Sequence, residues 1–432
     1  MKILIAGATG LIGGRLRARL RAAGHDLLLA GRRPPQRLHN QESWLELDFA
    51  SAPASSDWSE RLRGVDVAVN AVGIFRESRG QTFDALHRRG PVALFEACAR
   101  AGVRRIVQVS ALGADAEAAS RFHLSKRDAD DVLLQLPIES VIAQPSLVFA
   151  VDGASSRLFL QIASLPILPL PGGGAQRVQP IHVDDLTAAL AALVEAAHVQ
   201  RDRVALVGPV PLTMAAYLQQ LREGMGLALA PSVAIPAGWV TTGARIVDAL
   251  APAPFARDAW AMLERGNEAP SEAAAALAGG RLLAPAEFVP AAFASALRVR
   301  AQVDSTLPLL RGAIALVWIV TGIVSLGLYP VEDSLALLAR SGVPASFRPF
   351  ALYGAALLDL VLGVATLVMK RRRLLWWAQI ALIVAYTGII SVRLPEFWLH
   401  PYGPLLKNLP MLALLALLLQ LEAKRGGRDD GV

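Results

Sequence analysis

The chain is poor in cysteine and in tyrosine, and it lacks a basic stripe interleaved with aromatics. Its 432 residues include one cysteine, Cys98, which excludes an internal disulfide framework and fits a reducing compartment. Within Phe95-Glu96-Ala97-Cys98-Ala99, on an expected helix, Cys98 reads as a small buried apolar residue. The five tyrosines stand at 217, 329, 353, 386 and 402, so none precedes residue 217. The formal net charge is +7, yet the arginines are scattered or gathered at the ends of apolar runs. No basic stripe interleaves with aromatics, so nucleic acid is not an expected partner. The opening residues Met1-Lys2-Ile3-Leu4-Ile5-Ala6-Gly7 show no charged segment, long apolar run and cleavage site in succession, so no cleavable signal peptide is expected.

Across residues 1–150 short apolar runs alternate with helical patterns, which predicts an α/β fold: a doubly wound parallel sheet with crossover helices. Strands are expected at about 2–6, 26–30, 44–47, 66–72, 105–110 and 139–143, with a helix from Leu11 to a C-cap at Gly24. Arg15, Arg17, Arg19 and Arg21 mark the solvated face of that helix, and Arg15 lies close to the loop before it.

Three features locate a dinucleotide. Gly7-Ala8-Thr9-Gly10-Leu11-Ile12-Gly13-Gly14 joins the first strand to the first helix. Glycines at 7, 10 and 13 let the backbone turn sharply and approach a pyrophosphate at the helix N-terminus. The second strand ends in Leu29-Ala30-Gly31-Arg32-Arg33-Pro34, where an NAD-selective fold places an acid about 20 residues past the glycines. Two guanidinium groups suit a 2′-phosphate instead, so NADP(H) is expected over NAD(H); the alternative is a pair of solvated loop arginines. Asp48 ends Trp44-Leu45-Glu46-Leu47-Asp48, placed to accept from an adenine amino group, and Asn70-Ala71-Val72-Gly73 offers small backbone along the cofactor.

These segments resemble the atypical short-chain dehydrogenase/reductase superfamily, in its NmrA-like and complex I accessory-subunit-like branch. The resemblance continues through Val109-Ser110-Ala111-Leu112-Gly113-Ala114 and Gln144-Pro145-Ser146-Leu147-Val148-Phe149. It runs on through Pro180-Ile181-His182-Val183-Asp184-Asp185-Leu186, then Val207-Gly208-Pro209 and Leu212-Thr213, covering about residues 1–230. It implies a Rossmann domain with a smaller C-terminal lobe. It also implies cofactor contacts from Gly7, Thr9, Gly10, Leu11, Ile12, Gly13, Arg32, Arg33, Asp48, Ala71, Val72, Gly73, Ser110, Lys126 and Pro145. In the family a serine is followed by Tyr-x-x-x-Lys. The lysine contacts the nicotinamide ribose and lowers the tyrosine pKa, and the tyrosine transfers the proton. Ser110 and Lys126 match the serine and the lysine, but the tyrosine position is Phe122. A phenyl ring carries no proton, so the ordinary carbonyl-reductase mechanism is not expected. His123 is a candidate replacement acid; the alternative is a surface histidine beside the site. Hydride transfer to a quinone- or flavin-like acceptor would need no tyrosine.

His182 with Asp184 and Asp185 resembles a ligand cluster, but the family pattern makes this segment structural, with Asp184 as a helix cap and no metal. Pro166, Pro169 and Pro171 lead into Gly172-Gly173-Gly174, a loop placed to fold over substrate. Trp260–Asn267 reads either as an amphipathic helix resting on a membrane or as core packing.

Beyond residue 305 the composition changes. Gly312–Leu328 and Leu374–Val392 are uncharged, Phe350–Met369 carries only Asp359, and Pro401–Leu421 carries only Lys407. Spanning a bilayer takes about 20 mainly apolar residues, so an all-α four-helix transmembrane bundle is expected. Lys370-Arg371-Arg372-Arg373 separates the second and third spans, and Lys424-Arg425 follows the fourth. The opposite side carries Glu332, Asp333, Glu396 and His400, with Arg340, Arg348 and Arg393. The positive-inside rule then puts the N-terminal domain and the C-terminus in the cytoplasm. This part resembles the DoxX-like membrane family over about 306–421, in Tyr353-Gly354, Asp359-Leu360-Val361-Leu362-Gly363, Tyr386-Thr387-Gly388 and the run from His400 to Pro410. The resemblance implies a small four-helix protein of the kind often associated with redox or quinone-linked systems. A charge near the membrane centre costs about 2.5–3.5 kcal/mol, so Asp359 should face the bundle interior, with Lys407 a candidate partner. Two roles stay open for Asp359, a proton or quinone-headgroup ligand and a packing contact.

Domains are therefore expected at 1–230, 231–305 and 306–421, with a cytoplasmic tail at 422–432. The expected function is a multi-pass inner-membrane, NADP(H)-dependent oxidoreductase. It would act at the cytoplasmic face on a small-molecule or quinone-like acceptor, with the bilayer and a membrane redox partner beside it. The alternative is a non-catalytic NADP(H)-binding redox sensor or assembly scaffold.

Overall fold

The computed structural model describes residues 1–51, 58–78, 80–250 and 256–426; the end of the expected tail, 427–432, lies outside the described residues. Two compact units divide between Ala301 and Gln302.

The first unit opens with β1 (Lys2–Ala6), α1 (Leu11–Ala22), β2 (Asp26–Gly31), β3 (Glu42–Glu46), β4 (Val67–Asn70), α2 (Gly90–Ala101), β5 (Arg105–Val109), α3 (Arg121–Gln135) and β6 (Glu139–Pro145). It continues with β7 (Val148–Phe149), α4 (Ala154–Ala163), β8 (Leu168–Pro171), β9 (Arg177–Val178), β10 (Ile181–His182), α5 (Val183–Glu195) and β11 (Asp202–Leu206). Then come β12 (Leu212–Thr213), α6 (Met214–Gly224), β13 (Ser232–Ile235), α7 (Ala237–Leu250), α8 (Ala256–Arg265) and α9 (Glu272–Ala278).

Seven strands form one sheet in the order β11-β6-β5-β4-β1-β2-β3, parallel throughout. Alternation along β1 serves both faces: Ile3 and Ile5 pack with Leu16 and Leu20 of α1 and Leu186 of α5. Leu4 and Ala6 pack on the other side with Leu94 and Phe95 of α2 and Leu133 of α3. Burial on both faces is what makes these strands nearly continuous apolar runs. This is the expected doubly wound Rossmann arrangement. β11 is an addition to the six expected strands, because its Asp202-Arg203 start masks the apolar run that follows. Helix α1 has its C-cap at Ala23, and Gly24 takes the left-handed position just after it, at φ +83.

A smaller lobe rests on the pairings of β7 with β10, β8 with β13 and β9 with β12. Its core holds Phe149, Leu168, Leu170, Tyr217 and Phe288, together with Leu297 and Ala301 at the start of α10 (Ala294–Ile323). Trp260 of α8 is buried, and the Asn267 side-chain oxygen accepts from the Leu147 N–H at 2.8 Å. Trp260–Asn267 is thus core packing, and its membrane alternative falls away.

The second unit comprises the rest of α10, then α11 (Val331–Arg340), α12 (Arg348–Val368), α13 (Arg373–Arg393) and α14 (Asn408–Gly426). Ala291–Leu328, Ala345–Val368 and Arg373–Arg393 are long and apolar enough to cross a membrane, and Asn408–Glu422 is a shorter apolar helix. Small residues bring α10 and α12 together. A Cβ on Gly322 would lie 2.8 Å from the Ala356 carbonyl oxygen, and one on Gly363 would lie 3.0 Å from that of Ala315. Asp359 is buried on this face of α12, as expected of an intramembrane carboxyl. Its Oδ1 has no hydrogen-bond partner among the described residues, and Lys407 is exposed in the turn before α14, so the expected pairing is not formed.

Candidate functional site

The glycine turn is built as a phosphate cradle. Gly7 has φ +82, and a Cβ there would come within 2.9 Å of the Ala71 backbone beyond β4. Gly13 faces Gly7 so closely that a Cβ would overlap the Gly7 carbonyl. Gly10 is the N-cap of α1 and donates to the Gly7 carbonyl at 2.9 Å. The first turn of α1 bears no acid, so the unpaired N–H groups of Leu11, Ile12 and Gly13 and the positive helix end stay available to an anion. Thr9 is exposed on the same turn. Arg15 is turned aside, paired with Asp152 at 2.5 Å.

Arg32 and Arg33 follow β2 and are exposed, with the Arg32 guanidinium against the side-chain amide of Gln81. Asp48 Oδ1 accepts from the Ala50 N–H at 3.0 Å, closing its own turn. Beyond β4, Asn70 Oδ1 accepts from the Val72 N–H at 3.2 Å while its Nδ2 donates to Gln108 Oε1 at 2.8 Å. This holds Ala71, Val72 and Gly73 at the carboxyl edge of the sheet. A Cβ on Gly73 would lie 3.6 Å from Lys126 Nζ and 3.7 Å from His87 Nε2, so these groups converge. Pro145 closes β6 at the same edge, its carbonyl accepting from the Leu112 N–H at 2.9 Å.

Helix α3 begins at Ser120, whose hydroxyl accepts from the His123 N–H. Its inward face presents Phe122, His123, Lys126 and Asp130, all buried. Lys126 Nζ donates to the Val109 carbonyl at 3.2 Å, and burial pulls its ammonium down to about 8. The Ser110 hydroxyl donates to Asp130, and burial pushes that carboxyl up to about 6. Phe122 fills the tyrosine position, stacked on Phe75 and edge-on to Phe83 and His87.

His123 is buried rather than on the surface, with Nδ1 3.1 Å from the Ser120 hydroxyl. Burial pulls it down to about 4, so it is neutral near pH 7 and holds no readily released proton.

Two members of this cluster escape sequence reasoning. His87 stands in a π-helical turn, Asp84–Arg89, just before α2. Its Nε2 accepts the Ile74 N–H at 3.0 Å, which puts the ring proton on Nδ1, 3.0 Å from the Ser125 hydroxyl. That hydroxyl donates onward to the Phe122 carbonyl at 2.9 Å, and burial, with Lys126 nearby, pulls His87 down to about 2. Asp130 is the other, one of three acids on α3 that no motif singles out.

At the start of α5 the cap is His182, accepting from the Asp184 N–H at 3.3 Å, and not Asp184. Asp185 accepts from the Leu283 N–H at 2.8 Å. Among the described residues no group of three His, Cys, Asp or Glu could hold a metal ion. Gly172–Gly174 is a short turn, with Gly172 close to Trp260 and Gly174 close to Ala215.

Residues 7–142 match the NAD(P)H-binding family model, and residues 315–416 match that of the DoxX-like family. The mitochondrial 40 kDa subunit of NADH-ubiquinone oxidoreductase from Neurospora crassa is 25% identical over 218 residues, 49% of this chain and 56% of that protein. Mitochondrial subunit 9 of the NADH dehydrogenase 1 alpha subcomplex from Arabidopsis thaliana is 30% identical over 135 residues, 30% of this chain and 33% of that protein. The chain therefore spans about half and a third of these relatives. Among solved structures, a nucleoside-diphosphate-sugar epimerase from Staphylococcus aureus has a TM-score of 0.56 at 18% identity, over 67% of this chain and 99% of its own. UDP-glucuronic acid 4-epimerase from Bacillus cereus has a TM-score of 0.50 at 16% identity, over 72% of this chain and 100% of its own. At these identities the likeness to solved structures is one of fold.

Proposed function

We propose that this chain, with an NAD(P)H-binding domain at residues 7–142 and a DoxX-like domain at 315–416, is a membrane-anchored, NADPH-dependent oxidoreductase. It would work at the cytoplasmic face of the inner membrane on a quinone-like or other lipophilic acceptor. The observation that carries this reading is the convergence of Gly73 and Lys126, with Ser110 close by, at the carboxyl edge of the sheet, where doubly wound folds take their ligands. NADPH, when bound, supplies the hydride. The N–H groups of Leu11, Ile12 and Gly13 hold the pyrophosphate beside Thr9, and Arg32 and Arg33 take the 2′-phosphate. Asp48 meets the adenine, while Ala71, Val72, Gly73 and Pro145 line the path to the nicotinamide end. Lys126 keeps two N–H groups beyond the one given to Val109, and these suit ribose hydroxyls. Ser110 commits its proton to Asp130, which leaves its oxygen an acceptor. Phe122 has no acidic proton, and His87 and His123 are neutral, which favours an acceptor needing no side-chain acid. The functional segments would be 1–230, 231–305 and 306–421, the last multi-pass with its C-terminus cytoplasmic.

A second reading is a non-catalytic NADP(H) sensor or assembly scaffold. It is favoured by Phe122 and by relatives that are subunits of NADH-ubiquinone oxidoreductase. Purification in detergent with nucleotide retained, followed by NADPH oxidation against a panel of quinones, separates the two. Turnover with a quinone supports the oxidoreductase; bound nucleotide without turnover on any acceptor supports the sensor.

A further inference from the structure

We propose that the outward face of α7 lies on the bilayer surface, giving the nucleotide-binding unit a membrane contact besides its covalent tether. Between Leu229 and Val247 five large apolar side chains are exposed: Leu229, Val233, Trp239, Ile246 and Val247, with Trp239 76% exposed. Trp239, Thr242, Ile246 and Ala249 recur at helical spacing, all exposed, while Val240 and Ala244 are half-buried and Asp248 is buried. Asp248 does not belong to the outward face, since its carboxylate accepts from the Ala256 and Arg257 N–H groups and from Arg257 Nε. Residues 229–247 contain no acid and one cation, Arg245.

Exposed apolar side chains gathered on one helix face, as along α7, mark a docking surface. Chain connectivity and chemistry together favour a bilayer as its occupant. β13, which carries Val233, pairs with β8, and Leu168 and Leu170 of β8 share a core with Leu297 and Ala301 of α10. Only ten residues separate Ala301 from Gly312, where the uncharged run begins. The lobe bearing α7 is therefore the lobe that the membrane segment leaves, and contact with lipid is intramolecular, so weak affinity suffices. Tryptophan favours the membrane–water boundary, where its ring is among lipid and its indole N–H is wet. Arg245 suits anionic headgroups, and the lack of acids removes repulsion from them. α8 offers no such face, because Trp260 points inward.

This inference rests on the membrane reading of residues 306–421, and its test separates the two. The full-length protein is placed, one copy per disc, in nanodiscs containing phosphatidylglycerol. A nitroxide is attached at Ile246→Cys, with Leu367→Cys in α12 as the lipid control and Arg33→Cys as the aqueous control; Cys98 is buried and does not label. Relative to a water-soluble nickel chelate, oxygen should collide several-fold more with the label at 246 than with that at 33. Adding Trp239→Glu should bring 246 towards 33. If 246 behaves like 33 while 367 reads lipid, the proposal is wrong and the membrane reading stands; if 367 also reads water, the membrane reading is wrong. A label at 246 shielded from both reagents means that protein covers the face, and also overturns the proposal. With two copies per disc, dipolar broadening would identify that cover as a second copy.

Discussion

Phe122 stacks on Phe75 with ring centroids 5.2 Å apart and planes 9° from parallel, while His87 meets it nearly edge-on at 5.3 Å. A ring held by aromatic neighbours therefore stands where the family resemblance leads one to expect a proton-donating phenol. Reduction of ordinary ketones by NADPH should be absent or very slow. Phe122→Tyr should leave nucleotide affinity largely unchanged, because it keeps the ring contacts. Steady-state assays with simple ketones and calorimetric titration of NADPH check both. Robust ketone reduction by the unmodified protein, insensitive to His123→Ala, would mean that the proton comes from elsewhere.

Lys126→Ala should weaken NADPH binding at least tenfold, since hydrogen bonds to charged groups are worth about 1.5–3 kcal/mol. Burial lowers the Lys126 ammonium from its free value of 10.5 to about 8, so folding disfavours the charged form. That penalty is full below about pH 8 and fades as pH rises towards 10.5, so the variant should not be less stable near pH 7. The same shift predicts that NADPH affinity falls as pH climbs past about 8, and that Lys126→Ala flattens this fall. A variant with unchanged affinity would remove Lys126 from the cofactor site.

Gly7 and Gly13 are legible in sequence because a positive φ and a close backbone approach exclude other residues there. Ser110 and Lys126 are expected from the family resemblance alone, and the structure brings both to the carboxyl edge of the sheet. His87 carries no such mark. Its role comes from a π-helical turn that brings Nε2 to the Ile74 N–H, a tertiary event with no local signature. Asp130 is one of three acids, with Asp128 and Asp131, on a strongly charged helix; the inward phase of Ala129 and Leu133 selects it. His123 looks like a surface residue between Phe122 and Leu124 until Ser120 caps the helix and turns it inward.

His87 should make the first unit acid-sensitive. The fold favours its neutral form, with pKa about 2 against 6.5 when free, so its stabilisation is full above pH 6.5 and is lost as pH falls below that. His123 acts in the same sense down to about 4. Asp130, raised to about 6, opposes them, since its contribution is lost as pH rises towards 6. For one buried histidine the stretch from pH 6.5 down to pH 5, about 1.5 units, is worth roughly 2 kcal/mol. The thermal midpoint of the first unit should drop between about pH 7 and pH 5, and less so in His87→Gln. Equal slopes in the two proteins would show that His87 does not carry the effect.

Arg32 and Arg33 are exposed at the end of β2, where no acid competes for a ribose hydroxyl. Arg32→Ala combined with Arg33→Ala should cost NADPH at least tenfold in affinity while leaving NADH much less affected. Arg32 also leans on Gln81, so Arg33→Ala alone tests the phosphate contact with the least disturbance. Parallel titrations of both cofactors check this, and equal losses would remove the 2′-phosphate reading.

Glu422 identifies one end of the membrane unit. Its carboxylate pairs with Arg311 of α10 at 2.7 Å, lies 3.8 Å from Arg372, and accepts from Trp376 Nε1 at 3.0 Å. The end of α14, the loop at 370–373 and Arg311, just past the middle of α10, therefore share one side of this unit, which predicts that α14 crosses the bundle although its apolar run is short. That side gathers Arg311 and the four basic residues of 370–373. The other side holds Glu332, Asp333 and Glu396 with three separated arginines, Arg340, Arg348 and Arg393, of which Arg340 is paired with Glu396. On the proposed membrane reading, the positive-inside rule predicts that the Glu422 end is cytoplasmic. Reporter fusions after residue 345 and after residue 425 should read outside and inside respectively. Both outside would mean that α14 does not cross, and the reverse pattern would invert the orientation and move the nucleotide site away from the cytoplasmic NADPH pool.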